Sequence, residues 1–251
     1  FIDSYPDQSL PLPGNYLPLH PFQFDDLTVR DENLLDWPRT PEKVKSLLSD
    51  YYALISHLDR NVGKIISALK ENGLYDNTII IYAADNGLAA GSHGLLGKQN
   101  LYEHSMKVPL IISGPGIPGG KVTGAMVYLY DLFPTLADLC SIKLPEGVDG
   151  KSLLPVLSRQ KEKVRESLFT AYRKTVRAVR TDEWKLIRYP ERNISQLFNL
   201  VDDPLELNNL AGNETYRSKV EEMTELMQKW QSELHDNVPL VVDKPLPSEY
   251  D

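Results

Sequence analysis

Apolar residues between positions 41 and 72 recur at the three- and four-residue spacing of one helical face. Thr40 is a favourable N-cap, and Pro41 suits the first helical position because its ring presets the helical φ angle. Gly73 provides a stop signal, since glycine tolerates the left-handed backbone that often ends a helix. We therefore predict one long helix from Pro41 to Asn72.

A run of apolar residues from Thr78 to Ala84 follows this helix. An uninterrupted apolar run is typical of a strand that is buried on both faces, as in a parallel sheet. Val108–Ser113 has the same character, and Ala125–Tyr128 is a third candidate strand. A helix, a short turn and a buried strand predict an α/β unit with a mixed or parallel sheet and flanking helices. A short helix is predicted next over Asp131–Cys140, in which we expect Cys140 to be buried.

The pattern changes after about residue 165, where short apolar stretches are separated by tight connections. They predict a four-stranded antiparallel sheet followed by an amphipathic helix over Asn213–Leu234. The four predicted strands are Leu168–Arg173, Val176–Thr181, Trp184–Tyr189 and Gln196–Leu200. Strands followed by a helix form a small α+β subdomain, so we divide the chain into residues 1–160 and 161–251.

Residues 1–40 lack hydrophobic periodicity and are rich in proline, which excludes long helices. A disordered linker is one interpretation of such a segment. The aromatic residues within it favour an irregular segment that packs on another surface. They are Tyr5, Tyr16, Phe22, Phe24 and Trp37.

The formal net charge of −8 over 251 residues argues against nucleic acid as a partner. It does not exclude a small anionic substrate, because a local metal or lysine can outweigh the global field. No apolar stretch reaches the length needed to span a membrane. The single cysteine excludes an intrachain disulfide.

The candidate chemistry begins where the first predicted strand ends. Asp85 and Asn86 follow that strand directly, at the edge where α/β sheets bind ligands. Their side chains supply hard oxygen ligands for calcium or magnesium, although Asn-Gly after a strand is also a common turn. The glycine-rich stretch that follows carries His93 and Lys98. Lys98 is suited to bind a phosphoryl or sulfuryl oxygen as a point charge, and the alternative is a solvated surface lysine.

These segments resemble the second signature region of the sulfatases, the formylglycine-dependent type I enzymes of the alkaline-phosphatase-like superfamily. Arylsulfatases, iduronate sulfatases and choline sulfatases are of this type. The pieces that match this region are Asp76-Asn-Thr-Ile-Ile-Ile-Tyr-Ala-Ala-Asp-Asn-Gly87, Gly94-Leu-Leu-Gly-Lys98, Leu101-Tyr-Glu103 and Val108-Pro-Leu-Ile-Ile112. Downstream, Asp131-Leu-Phe-Pro-Thr-Leu136 and Gln196-Leu-Phe-Asn-Leu200 also fit the family. By this resemblance residues 1–160 are the C-terminal part of the catalytic α/β domain, and residues 161–251 are the C-terminal subdomain.

The resemblance implies a role for each candidate residue. Asp85 and Asn86 would be ligands of calcium, with magnesium less favoured, and Lys98 would contact the sulfate during catalysis. His93 would approach the substrate or its leaving group, although a structural loop histidine is an equal alternative. Arg173 would reach the substrate cleft from the predicted sheet, and an exposed strand charge is its alternative.

The chain lacks the motif that supplies the sulfatase nucleophile. The family makes its formylglycine from the first residue of Cys-x-Pro-x-Arg or Ser-x-Pro-x-Arg, and neither Cys140, Ser9 nor Ser113 begins such a motif. We therefore expect the formylglycine to lie in an N-terminal half of the fold that completes the site, and we expect the isolated chain to be inactive.

The resemblance implies a sulfate ester as substrate, either a small molecule or a sulfated sugar, and a periplasmic or secreted location. Two other functions stay open at this point. One is a phosphodiesterase or phosphonate hydrolase of the same superfamily, because the fold does not fix the reaction. The other is a non-catalytic fragment that binds an anion.

Overall fold

The structure, a computed structural model, describes residues 1–250. Its longest element is helix α1, Pro41–Glu71, which confirms the predicted helix. The Thr40 hydroxyl accepts a hydrogen bond from the Lys43 backbone amide at 3.4 Å, as expected of an N-cap. None of the helices within residues 1–250 is long and apolar enough to cross a membrane.

A two-stranded sheet follows α1 and consists of β1, Ile80–Ala83, and β2, Leu110–Ser113. The two strands are antiparallel, with Ile80 opposite Ser113. The prediction of fully buried strands was wrong, since neither strand contains a buried residue and the Ile111 side chain is 60% exposed. Within residues 1–250 no further strand covers this pair, and residues 125–128 form no strand.

The C-terminal sheet is a meander, as predicted. Its strands are β3 (Leu168–Tyr172), β4 (Val176–Arg180), β5 (Trp184–Tyr189) and β6 (Ile194–Asn199), paired antiparallel in chain order. A turn of 3-10 helix over residues 214–216 precedes helix α5, Arg217–Leu234. Three short helices complete the described fold: α2 (Glu103–Met106), α3 (Leu132–Leu139) and α4 (Leu154–Leu157).

Alternation along the meander gives it two apolar faces. On one face Val179 and Leu186 pack with Met223 and Met227 of α5. The opposite face, which includes Ile187, belongs to a second core. The partners of that second core come from the glycine-rich loop and the N-terminal segment, and they include Phe24, Leu27, Ala89, Leu95, Leu101 and Tyr102. The sheet therefore holds the candidate loop against its inner face.

The proline-rich residues 1–40 are packed, as predicted, and their only regular pieces are turns of 3-10 helix. Phe24 and Leu27 enter the core beneath the sheet. The Gln23 amide also donates to the Ser248 carbonyl at 2.8 Å, so the segment contacts residues near the other end of the described chain. The boundary that we place near residue 160 stays a prediction.

Cys140 is exposed, so its predicted burial was wrong. Helix α3 ends at Leu139, and its buried side includes Thr135 and Ala137. Cys140 is the C-cap residue beyond the last helical turn, which is why it does not share their burial.

Asp131, at the start of α3, is completely buried and fully engaged. Its carboxylate accepts hydrogen bonds from the Tyr128 amide at 2.7 Å and the Lys151 amide at 2.8 Å. Arg165, which is also buried, donates to both carboxylate oxygens at 2.5 and 2.8 Å. This pair joins α3 to the chain that leads into β3.

We predict that Arg165→Met lowers the free energy of unfolding by about 3–5 kcal/mol, because the Asp131 carboxylate would stay buried without its cation. Urea denaturation of the purified chain measures this change. Lys163→Met is the matched control, since Lys163 pairs with Glu166 and Asp182 at the surface and should matter far less. Equal losses in the two variants would contradict a structural role for the buried pair.

Candidate functional site

Asp85 and Asn86 lie just beyond the end of β1, separated from it by Ala84, close to where the sequence predicts them. The Asn86 amide donates to Asp85 Oδ1 at 3.0 Å, and Asn86 Nδ2 donates to the Gly87 carbonyl at 2.9 Å. Within residues 1–250 these bonds leave Asp85 Oδ2 and Asn86 Oδ1 without a hydrogen-bond donor. Asp85 is exposed and Asn86 is half-buried, so both free oxygens belong to residues that solvent reaches.

Gly87 fixes where this pair lies. Its amide donates to the Ser105 carbonyl at 2.9 Å. A Cβ at Gly87 would lie 1.9 Å from the carbonyl oxygen of His104, closer than any side chain can approach. Only glycine therefore lets the end of β1 pack directly against the backbone of α2.

Asp85 and Asn86 offer the type of oxygen ligand that calcium prefers, but too few of them to form a complete site. Calcium takes six to eight oxygen ligands, and these residues offer two adjacent side chains. Residues 1–250 contain no cluster of three or more His, Cys, Asp or Glu side chains that could hold a metal. The residues described here could therefore contribute only part of a calcium site.

Lys98 lies in the glycine-rich loop and is half-buried. Its ammonium group forms no salt bridge with any carboxylate of residues 1–250. Lys98 acts electrostatically on Asp31, whose pKa is lowered by hydrogen bonds from Gln99 and Arg30 and, to a smaller extent, by the Lys98 charge. Lys98 thus retains its capacity to bind an anion.

His93 is almost completely buried, and both of its ring nitrogens have partners. Nε2 lies 3.0 Å from the Glu206 carbonyl, and Nδ1 lies 3.4 Å from Asn15 Nδ2. The ring stacks on Tyr102 with 4.0 Å between centroids. Burial lowers the pKa of His93, so the imidazole is neutral at pH 7, with Nε2 as donor and Nδ1 as acceptor. This geometry supports a structural role in the loop.

Arg173 lies in the turn between β3 and β4, with a left-handed φ of 48°. Its side chain is 63% exposed, and its guanidinium contacts Asp26 at 3.4 Å and lies over the Tyr172 ring. It lines an open cleft of about 420 Å³ together with Arg30 and Gln99. Lys98 is not among the residues that line this cleft, and Gln99, the next residue in the chain, is.

A buried charge cluster lies between the loop and the sheet, and no role is predicted for its members from the sequence. Lys185 of β5 is 2% exposed and pairs with Glu103 at 3.0 Å and Glu206 at 2.9 Å. Glu206 also accepts the Glu103 amide at 2.7 Å. Glu103 stands in the quoted Leu101-Tyr-Glu103 motif, which was the one available signal. Lysine and glutamate are otherwise surface residues in most proteins, so sequence alone favours exposure.

Two further residues missed by the sequence reasoning are Asp31 and Glu32. Both come from the irregular N-terminal segment, and both contact the loop that carries Lys98. Acidic residues between prolines carry no positional signal in one sequence.

Two family models match the chain. One, described as Sulfatase, matches residues 15–142, and the other, described as N-sulphoglucosamine sulphohydrolase, C-terminal, matches residues 91–233. Each covers more than half of the 251 residues, and together they span the candidate site. The chain belongs to the sulfatase family. Its resemblance to that family is thereby confirmed.

Curated sulfatases match in sequence. N-acetylglucosamine-6-O-sulfatase from Bacteroides thetaiotaomicron is 30% identical over 224 residues, which are 84% of this chain and 39% of the relative. Choline-sulfatase from Rhizobium meliloti is 40% identical over 69% of this chain and 35% of its own length. Arylsulfatase K from Homo sapiens is 37% identical over 68% and 35%. The sulfatase chain thus spans well under half the length of these relatives.

Solved structures confirm the fold class. A protein in complex with its substrate D-glucosamine-2-N,6-O-disulfate matches with a TM-score of 0.73 and 30% identity, over 79% of this sulfatase chain and 43% of the other. Phosphonate monoester hydrolase from Silicibacter pomeroyi matches with a TM-score of 0.79 and 26% identity, over 93% and 52%. The predicted alkaline-phosphatase-like fold, with its antiparallel C-terminal sheet and helix, is therefore correct.

We predict that Gly87→Ala costs about 1–3 kcal/mol of unfolding free energy, because the new methyl group meets the His104 carbonyl. Gly63→Ala is the matched control. A Cβ at Gly63, inside α1, meets nothing within 4 Å, and alanine should stabilise the helix by about 0.5–1 kcal/mol. Thermal and urea denaturation measure both. A neutral Gly87→Ala would contradict the close backbone approach.

Proposed function

We propose that this chain supplies part of the active site of a sulfatase that hydrolyses a sulfate ester, with Asp85 and Asn86 as calcium ligands and Lys98 as a sulfate-binding residue. The observation that carries this proposal is the pair of free side-chain oxygens at the end of β1, within a segment that matches the sulfatase family. Calcium fits hard oxygen donors of this kind, and magnesium is the less favoured alternative.

In this proposal Lys98 acts through its charge. A bound calcium ion would supply Lewis-acid polarisation of sulfate oxygens. The Lys98 ammonium would stabilise negative charge on the sulfuryl group or on the leaving oxygen, and the half-buried loop would strengthen that interaction relative to open water. The nucleophile would be a formylglycine, which belongs to the family and for which residues 1–251 contain no Cys-x-Pro-x-Arg or Ser-x-Pro-x-Arg motif.

Two roles are considered for His93 in this mechanism: proton donation and support of the loop. Proton donation to the leaving group stays a prediction, and it would require Nε2 to leave the Glu206 carbonyl. The buried, neutral ring supports a different role better: His93 stacks on Tyr102 and keeps the backbone between Asn86 and Lys98 in place.

The substrate class we infer is a sulfated carbohydrate. One relative is named an N-acetylglucosamine-6-O-sulfatase, and one similar structure holds a disulfated glucosamine as its substrate. The cleft lined by Gln99 offers Arg173 for an anionic group and Tyr172 for a sugar face. Phosphonate monoester hydrolases share the fold, and the segment from Gly97 to Glu103 favours the sulfatase alternative.

The partner we propose is the remaining portion of the sulfatase fold, which would bring the formylglycine and the other calcium ligands. Exposed apolar side chains on α1 and β2 support such an interface. Leu54 is 63% exposed and Ile65 is 64% exposed on α1, and Ile111 is 60% exposed on β2. These exposed apolar side chains are ones that the remaining portion of the fold would cover.

We predict weak, separable binding of calcium and sulfate to the purified chain, measured by isothermal titration calorimetry. Asp85→Ala should weaken calcium binding about tenfold or more, because it removes the only charged ligand of the pair. Lys98→Met should weaken binding of inorganic sulfate by about tenfold, the loss of one charge-assisted hydrogen bond.

Exposed residues of the same type provide the controls for these titrations. Asp76→Ala, at the other end of β1, and Lys107→Met, beyond α2, should leave both affinities unchanged. No heat from either ligand on the wild-type chain would contradict the proposal and favour a structural role.

We also predict that the purified chain does not hydrolyse an aryl sulfate, with or without calcium, because it lacks the nucleophile motif. A spectrophotometric assay with 4-nitrophenyl sulfate tests this. Hydrolysis that requires calcium and disappears on chelation would overturn the prediction.

A further inference from the structure

Glu32 binds the backbone of the loop immediately before Lys98. Its carboxylate accepts hydrogen bonds from the Leu96 amide at 2.9 Å and from the Gly97 amide at 2.8 Å. Glu32 is 3% exposed, although it belongs to the irregular N-terminal segment. A buried carboxylate that chelates two consecutive amides fixes their orientation, because each bond is charge-assisted and shielded from water.

Arg39 holds this carboxylate in place. It is fully buried, and its Nη2 donates to Glu32 Oε2 at 3.2 Å and to the Glu32 carbonyl at 2.5 Å. The guanidinium lies over the Trp37 ring, 3.6 Å from the centroid. The Arg39 amide donates to the Pro18 carbonyl at 2.7 Å, which joins the pair to a second part of the segment.

Asp31 binds the loop on the far side of Lys98. Its Oδ2 accepts a hydrogen bond from Gln99 Nε2 at 2.9 Å. The Gln99 side-chain oxygen accepts the Lys98 amide at 3.1 Å. Two consecutive acidic residues therefore contact the backbone or side chains of residues 96, 97 and 99, on either side of Lys98.

Gly97 makes this close approach possible. A Cβ there would lie 2.6 Å from Gln99 Oε1, 3.0 Å from the Asp31 Cβ and 3.1 Å from Glu32 Oε1. The opposite edge of the loop is also held, since the Gly97 carbonyl accepts the Ala89 amide at 2.9 Å.

We propose that Glu32, held by Arg39, is a positioning residue that fixes the loop conformation in which Lys98 binds sulfate. The inference rests on the proposed role of Lys98. Lysine has a flexible four-carbon side chain, and ordering it costs conformational entropy. Ordering the backbone that carries this side chain costs more entropy, and a backbone already fixed at residues 96 and 97 removes that second cost before the anion arrives, which raises affinity.

Glu32→Gln tests this positioning role. Glutamine keeps one acceptor oxygen but turns an NH₂ donor toward the second amide or toward Arg39, so one of the three contacts is lost. Hydrogen exchange of the Leu96 and Gly97 amides, followed by NMR on the full chain, should accelerate about tenfold or more. The dissociation constant of inorganic sulfate should rise in parallel by about tenfold.

Asp236→Asn is the matched control. Asp236 accepts two hydrogen bonds from buried Arg177 at 2.9 Å each, so the variant makes the same acid-to-amide change in another ion pair. It should leave exchange at residues 96 and 97 and sulfate affinity unchanged. If Glu32→Gln fails to fold, Gln99→Leu removes the contacts on the other side of Lys98 and should weaken sulfate binding while the Glu32–Arg39 pair persists.

Each outcome decides a specific claim. Unchanged exchange at residues 96 and 97 in Glu32→Gln, or equal acceleration in Asp236→Asn, overturns the positioning role. Faster exchange with unchanged sulfate affinity overturns the link to Lys98. A wild-type chain on which sulfate has no effect overturns the proposed function itself, and the exchange data then still report whether Glu32 holds the loop.

Discussion

The geometry of the candidate site depends on the buried ion pairs that the Lys185 ammonium group forms. It connects the sheet to Glu103 and Glu206, and each of these leads to one side of the candidate site. Glu103 is the first residue of α2. The Ser105 carbonyl of α2 accepts a hydrogen bond from the Gly87 amide, which holds the end of β1 in place. The Glu206 carbonyl lies within hydrogen-bond distance of His93, which lies in the loop before Lys98. The positions of Asp85, Asn86 and Lys98 thus all depend on contacts with one residue of the C-terminal sheet, Lys185.

Such a cluster is costly to bury and stabilises only when every member is paired. Burial raises the pKa of Glu206, and the Lys185 charge and the Glu103 amide oppose that shift. Removing one charge would leave the others desolvated without compensation, which costs far more than a surface pair does. The cluster therefore favours one arrangement of loop and sheet, because any other arrangement would leave a buried charge without a partner.

Local patterns explain how much the sequence could predict. Helix α1 and the four-stranded meander follow from periodicity and turn residues, which act within a few positions of each other. Asp85 and Asn86 could be placed because they follow a recognisable strand. The pairing of β1 with β2 depends on which neighbours are present, and the strands are not fully buried because within residues 1–250 no further strand joins the pair. His93 shows the same limit, since its partners Asn15 and Glu206 are 78 and 113 positions away.

The acidic composition of the chain and a site for anions are compatible because many acids near the loop are already paired. The sequence has 35 acidic and 27 basic residues, yet Glu32 is held by Arg39 and two backbone amides, and Glu103 by Lys185. Asp31, which also contacts this loop, is engaged by Gln99 and Arg30. Field strength at short range depends on such pairing, whereas the net charge acts mainly beyond a Debye length, where salt screens it. Lys98 therefore forms no salt bridge within residues 1–250 and remains compatible with the proposed anion site, despite a net charge of −8.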